Sequence, residues 1–507
     1  MNTPGQKYIL AIDEGTTGTM SLVIDKAGRV VSKVYQPVNI FYPQPGWVEQ
    51  DAIELYQKAI NGAKEAILKA GTTASHIKGL GISNQRETTV VWDRRSGIPV
   101  MNAIGWQCRR TAPICEELKK KGLSKLVQQK TGLVIDAYFS ATKLRWILDH
   151  IKDGQVRAEQ GELLFGTIDS WLVWNLTGRT NHITDYSNAS RTMLFNIHTG
   201  EWDKELLSIF NVPEAVLPRV MPTSQIYNIT ATGIFEEEQI PIAAIAGDQQ
   251  AALFGQTCFA PGTAKTTYGT GAFILLNTGN TPVDSKNGLL TTVAWGVNNR
   301  IVYALEGSVF VAGAAIQWLR DGLKIIGNSA ESETLANSVP DNGGVYIVPA
   351  FTGLGTPYWD MYARGIIIGL TRGTTGGHIA RATLEAIAYQ VRDVIAVMEK
   401  EAKLKITSLR VDGGGTANAL LMQFQADILG IPVQIAAVPD ITAMGTGYLA
   451  GLAVGFWHNM DELIHNNLIV RTFEPIMTGT KKELLYHNWR RAVARSLNWE
   501  TDHKPEL

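Results

Sequence analysis

The stretch Tyr8-Ile-Leu-Ala-Ile-Asp-Glu-Gly-Thr-Thr-Gly-Thr-Met-Ser-Leu-Val-Ile-Asp25 reads as two apolar strands joined by a turn of Gly15, Thr16, Thr17, Gly18 and Thr19. The first apolar run ends in Asp13, which puts a carboxylate at a strand tip where the backbone turns. The turn supplies hydroxyl donors, and its glycines let backbone N–H groups come close to a ligand. A carboxylate able to hold a hydrated Mg²⁺, beside donors able to cradle phosphate, points to nucleotide chemistry. An ordinary hairpin with Gly/Thr turn chemistry accounts for the same residues, so this segment alone leaves both readings open.

The plan of that hairpin returns half a chain later. Lys265-Thr-Thr-Tyr-Gly-Thr-Gly-Ala-Phe-Ile-Leu-Leu-Asn-Thr278 is again strand, Gly-Thr turn and apolar strand. Two halves opening alike predict a duplicated domain with a nucleotide clasped between the copies, against chance similarity of short turns. Neither G-x-x-x-x-G-K-[ST] nor G-x-G-x-x-G occurs, which disfavours P-loop and Rossmann readings. Around the hairpins, strands and helices alternate as in an α/β protein. The patterning predicts strands over residues 78–83, 88–92, 240–246 and 409–412. It predicts helices over 51–69, 143–151, 249–255, 383–403, 418–429 and 442–454, and a basic amphipathic helix over 481–499 that packs as a terminal element.

Composition sets limits. A 507-residue chain accommodates about two to four domains with sizeable cores. A net charge of −1 gives no global reason to bind nucleic acid or anionic lipid. Three cysteines, Cys108, Cys115 and Cys258, are too few and odd for a disulfide framework and suit a reducing cytosol. Cys108 and Cys115 lack a companion His/Cys cluster, so a zinc site is not expected. Met1 to Lys7 shows no leader pattern, and no apolar run approaches the ~20 residues of a membrane helix, so a cytoplasmic location without membrane insertion is expected.

Four further constellations carry chemistry. Asp248, in Ala246-Gly-Asp-Gln-Gln250, sits where an apolar strand gives way to a helix. It reads as the N-cap of that helix, or as a general base for a substrate hydroxyl, and the two roles are compatible. Arg86 and Glu87, between two apolar strands, read either as a solvated pair or as a polyol clamp that donates and accepts. Trp106, Tyr138 and Phe273 are core aromatics unless the fold brings them to one pocket. Val411-Asp-Gly-Gly-Gly-Thr-Ala-Asn418 holds three consecutive glycines between strand and helix, more than a turn needs, and favours close backbone approach to a flat or anionic ligand.

Together these residues resemble a known family. The opening turn is similar to the phosphate-1 motif of the actin/hexokinase/Hsp70 superfamily, and residues 411–418 to its adenosine motif. Tyr138-Phe-Ser-Ala-Thr-Lys-Leu-Arg-Trp146 and Gly353-Leu-Gly-Thr-Pro-Tyr-Trp-Asp-Met-Tyr-Ala-Arg-Gly365 resemble the signatures of the FGGY carbohydrate kinases. The runs 45–49, 82–92, 106–111, 190–198 and 246–255 look like the glycerol-phosphorylating members of that family, and the likeness extends from about Tyr8 to Trp499. The resemblance implies an α/β fold of two duplicated ribonuclease H-like (actin-like ATPase) domains, 1–254 and 255–507, with the catalytic cleft between them. It implies ATP-dependent phosphorylation of glycerol to sn-glycerol 3-phosphate, with ATP and Mg²⁺, and a homodimer or homotetramer. Carried over by position, glycerol is held by Arg86, Glu87, Trp106, Tyr138, Asp248, Gln249 and Phe273, with Asp248 as base. Asp13 and Asp248 lie near the metal. Thr16, Thr17, Gly18, Thr270 and Gly271 cradle the phosphates, and Gly313, Gln317, Gly414 and Asn418 line the nucleotide.

Two departures from the family pattern stand out. Its opening motif commonly carries Gln and ends in Arg, where this chain has Glu14 and Met20. Loss of that cation predicts a slower enzyme or weaker ATP binding. Some family members bind fructose 1,6-bisphosphate through a Gly/Arg-containing loop where this chain has Phe235-Glu-Glu-Glu-Gln239, and three glutamates would repel a bisphosphate. Two alternatives to a glycerol phosphotransferase are a sensor that binds nucleotide and polyol without turnover, and a kinase for another small polyol or ketose.

Overall fold

Strands β1 (Tyr8–Glu14) and β2 (Gly18–Ile24) pair antiparallel, with Asp13 opposite Met20 and Glu14 opposite Thr19. The turn is tighter than the sequence predicts: Gly18 and Thr19 already belong to β2, and the Gly15 amide donates to the Gly18 carbonyl at 3.1 Å. The computed structural model describes residues 5–298 and 300–500; Met1 to Pro4, part of the segment read for a leader, lie outside the described residues. Strand β3 (Val30–Pro37) extends the meander. Beyond β1, β4 (Ile77–Asn84) and β6 (Pro241–Gly247) run parallel to it, and β5 (Ser224–Ile229) closes the edge, giving the order β5-β6-β4-β1-β2-β3. Both faces of this sheet are covered, which explains the near-continuous apolar runs of β1 and β6. Helix α1 (Ala52–Lys69), capped by the Asp51 carboxylate on the Ile53 amide at 2.8 Å, packs Leu55, Ala59, Ala63 and Ala66 against one face.

The second sheet repeats the plan. Strands β7 (Ala264–Tyr268) and β8 (Ala272–Gly279) form its hairpin. Strands β9 (Leu290–Val297) and β10 (Arg300–Val309) extend the antiparallel side, while β11 (Leu409–Asp412) and β12 (Val433–Ala436) lie parallel beside β7 and β13 (Ile469–Phe473) forms the edge. The order is β9-β10-β8-β7-β11-β12-β13. With β9 set aside, it has the same strand order as the first sheet, and Gly269–Gly271 takes the place of Gly15–Thr17.

Helix α2 (Asp248–Gly255) follows β6. Helix α3 (Gly376–Ala402) begins well before the expected residue 383, because Thr375 and His378 form a capping box that starts the helix at the Gly376-Gly377 pair. Helices α4 (Ala419–Leu429) and α5 (Ile441–Ala453) lie close to expectation. The basic C-terminal helix spans Gly479–Ser496 and buries Trp489, Ala492 and Val493, so it does serve as a packing element.

Helix α5 comes from the second half in sequence but packs on the first sheet and on α2. The approach is close enough to demand glycine. A Cβ on Gly445 would stand 1.8 Å from the Ala251 carbonyl oxygen, one on Gly81 of β4 2.4 Å from that of Thr446, and one on Gly255 2.3 Å from that of Ile441. Backbone meets backbone there, which ties the two halves together at this crossing. No helix among the described residues is long and apolar enough to cross a membrane. Glu236, Glu237 and Glu238 are exposed in the loop before β6.

Candidate active site

The turn after β4 carries Arg86 and Glu87, 2% and 1% exposed, so the solvated reading of this pair fails. Arg86 donates from Nη1 to Glu306 Oε2 at 2.5 Å and from Nη2 to Glu306 Oε1 at 3.0 Å. Its Nη2 also reaches the Tyr138 hydroxyl at 3.3 Å, and its Nε stands 3.2 Å from Asp248 Oδ1. Arg191, fully buried, donates from Nε to Glu87 Oε1 at 2.8 Å and from Nη2 to Glu306 Oε1 at 3.1 Å. Burial by itself would push the Glu306 carboxyl up, but the Arg191 and Arg86 guanidiniums outweigh it and hold it at about 2. Two arginines and two glutamates thus neutralise one another out of water, an arrangement that is costly to break because each partner removed strands a buried charge.

Asp248 is the first residue of α2 rather than its cap. Gly247 holds the N-cap position, and the Asp248 side chain takes the adjacent Gln249 amide at 2.7 Å and Arg86, both on Oδ1. That side chain is 31% exposed. Trp106 and Tyr138 meet edge to face at 5.5 Å between ring centres, and Trp106 Nε1 donates to Thr16 Oγ1 at 2.9 Å, which ties the aromatic wall to the first turn. Phe273, half-buried on β8, lies opposite Ser308 and one step along the sheet from the Leu275–Glu306 pair. Of the seven residues expected to hold a polyol, Arg86, Glu87, Tyr138 and Asp248 are joined in one network. Trp106 joins through Tyr138, Gln249 adjoins Asp248, and Phe273 reaches it through the sheet.

Asp13 accepts from Ser83 Oγ at 2.9 Å, yet burial first and the Asp248 carboxylate second push it up to about 7. A buried carboxyl at a strand tip, raised in part by a neighbouring carboxylate, is a fit for a cation. No group of three or more His, Cys, Asp or Glu side chains arranged for a metal occurs among the described residues.

At the two turns the backbone does most of the work. The Thr17 carbonyl accepts from the Tyr35 hydroxyl at 3.0 Å and from the Val38 amide at 3.1 Å. Gly18 is demanded by packing, since a Cβ would stand 2.5 Å from the Tyr35 ring. The Thr270 carbonyl accepts from the Ala312 and Ala314 amides at 2.9 and 3.0 Å, and Gly313, opening the helical turn Gly313–Gln317, lies so near Gly269 that a Cβ would meet its carbonyl oxygen at 2.6 Å. Gln317 is exposed at the end of that turn, and Gly271 packs against the Val309 carbonyl. In the triple-glycine loop, Gly413 (φ +88°) and Gly415 back onto Tyr268, where Cβ atoms would approach at 2.4 and 2.7 Å, whereas a Cβ on Gly414 meets nothing within 4 Å. Two of the three glycines therefore answer to the fold and one faces open space. Asn418 spends its amide oxygen capping α4 on the Leu421 amide at 2.9 Å and lies near Ser332 through its NH₂ group.

Sequence reasoning missed Glu306, Arg191 and Lys265. Glu306 had a signal, a lone carboxylate inside the strand Arg300–Val309, whereas Arg191 and Lys265 give none without the partners that surround them in space.

The FGGY family of carbohydrate kinases matches through its N-terminal domain over residues 8–255 and its C-terminal domain over residues 264–454. Glycerol kinase 2 of Thermotoga maritima is 60% identical over 494 residues, which cover 97% of this chain and 99% of that one. Glycerol kinase of Caldanaerobacter subterraneus is 57% identical over 493 residues, again 97% and 99% of the two chains. The crystal structure of Plasmodium falciparum glycerol kinase with ADP superposes with a TM-score of 0.92 at 35% identity, covering 97% of this chain and 98% of that one.

Proposed function

The chain belongs to the FGGY family of carbohydrate kinases, and we propose that it transfers the γ-phosphoryl group of ATP to a terminal hydroxyl of glycerol, giving sn-glycerol 3-phosphate and ADP. In this reading residues 1–254 carry the polyol and the base, and residues 255–507 carry the nucleotide. The Asp248 carboxylate takes the proton of the attacking hydroxyl as its oxygen bonds to the γ-phosphorus, and the β–γ bridging oxygen leaves with ADP. Arg86 fixes that carboxylate through Oδ1 and donates to polyol oxygens, while Glu87 accepts from hydroxyls. Trp106, Tyr138 and Phe273 cover the C–H face of a three-carbon substrate, as a small polar ligand requires. The first turn, with Thr16, Thr17 and Gly18, and the second, with Thr270 and Gly271, offer donors to phosphate. Gly414 gives the nucleotide close access beside Gly313, Gln317 and Asn418. Asp13 and Asp248 would hold Mg²⁺, which when bound neutralises charge on the phosphates. The three cysteines are unpaired and buried, in keeping with a reducing cytoplasm.

The observation that carries the mechanism is the placement of Asp248. It is held on one oxygen by a buried arginine, remains partly exposed, and lies close enough to Asp13 to help push that carboxyl up. Asp248→Asn tests it. Glycerol-dependent ADP release should fall by about 10²–10⁴-fold with glycerol still bound. Turnover within a few-fold of the parent would remove Asp248 from the role of base.

A further inference from the structure

Lys265, Leu275 and Glu306 form one row across β7, β8 and β10, and Thr267, Phe273 and Ser308 form the next row toward the turn. Residues directly opposite across paired strands share a face. Lys265, Thr267, Phe273 and Glu306 therefore all project toward the first half, where Glu306 already grips Arg86. Lys265 is fully buried. Its ammonium donates to the Gln249 side-chain oxygen and to Thr267 Oγ1 at 2.7 Å, and neither acceptor is charged. Burial pushes it below the ordinary lysine range, while Asp412, Asp248 and Glu306 act on it at longer range and pull the other way. A buried ammonium bonded to neutral acceptors contributes little to folding. Its position beside the substrate residues points to work done there.

We propose that Lys265 is the positioning residue for Gln249, holding the amide oxygen so that the NH₂ group faces the polyol. This rests on the reading that the cleft binds a polyol. A primary amide is nearly symmetric in shape, and either end fits a small pocket. An ammonium can only donate, so the atom facing Lys265 must be the oxygen, and the donor end must face away. The site then presents donors from Arg86 and Gln249 and acceptors from Glu87 and Asp248, a pattern that distinguishes the hydroxyls of one polyol from those of another. The strand that positions Lys265 leads directly to Thr270, so orientation of the substrate amide is built into the nucleotide half.

Lys265→Met retains chain length and removes the donor. The KM for glycerol should rise about tenfold, the loss of one oriented hydrogen bond, with the KM for ATP within about twofold. In a Gln249→Leu background the same change should have almost no further effect, because Lys265 acts through that amide. Gln249→Glu keeps an acceptor for Lys265 but offers the polyol no donor, so it should raise the glycerol KM as much as Gln249→Leu; this arm decides the matter even if Lys265→Met fails to fold. An unchanged glycerol KM in Lys265→Met, an effect that multiplies on Gln249→Leu, or a Gln249→Glu enzyme equal to the parent overturns the inference. Failure of the unmodified protein to phosphorylate glycerol would instead overturn the function on which it rests.

Discussion

Met20 stands directly across the hairpin from Asp13 and shares its face of the first sheet. The basic residue nearest along that face, Lys33, is already held by Asp440 at 2.6 and 2.7 Å. A cation at position 20 would sit beside a carboxylate that burial and Asp248 push up to about 7, and beside the proposed phosphates. We therefore expect Met20→Arg to tighten ATP binding or raise kcat by on the order of tenfold, measured as kcat and the nucleotide KM; both unchanged would mean that this position is electrically indifferent. At this scale the sequence was readable where a residue type is out of place for its context, as with Asp13 at a strand tip or Asp248 at a strand-to-helix junction. It was mute on pairing. Nothing local tells that Arg86 is 2% exposed or that its partner lies at Glu306, since the buried network is made by strands far apart in the chain.

Among the elements, glycines separate those that serve packing from the one that faces the cleft. Gly445→Ala would drive a methyl into the Ala251 carbonyl oxygen at 1.8 Å where α5 crosses α2, and both atoms are fixed by helical backbone. It should lower stability by about 3 kcal/mol or more, seen as a fall in the denaturant midpoint. Gly414→Ala, with open space around it, should leave that midpoint in place and weaken nucleotide binding instead. Equal destabilisation by the two would undo the distinction. The sequence predicted the existence of these elements well because apolar periodicity is a local signal. The helix expected from residue 383 begins earlier, at Gly376, where Thr375 and His378 cap it. The role of the crossing helix α5 could not be read at all, since its face is apolar on nearly every side.

For the molecule as a whole, two sheets share one strand plan, and each has a hairpin closed by a Gly-Thr turn. The echo of residues 265–278 on the opening hairpin made the duplication legible; the swap of α5 onto the first sheet, which joins the halves, was not. That junction ties the halves together, and on the proposed function closing over bound substrates would exclude water from the transferring phosphoryl group. The most direct test is ADP release from ATP by the intact protein, measured in parallel with glycerol, dihydroxyacetone, erythritol and xylulose. Rapid ADP release with glycerol, and little with the four-carbon polyol or the pentulose, is the result predicted. Glycerol binding without turnover, or a preference for xylulose, would contradict it.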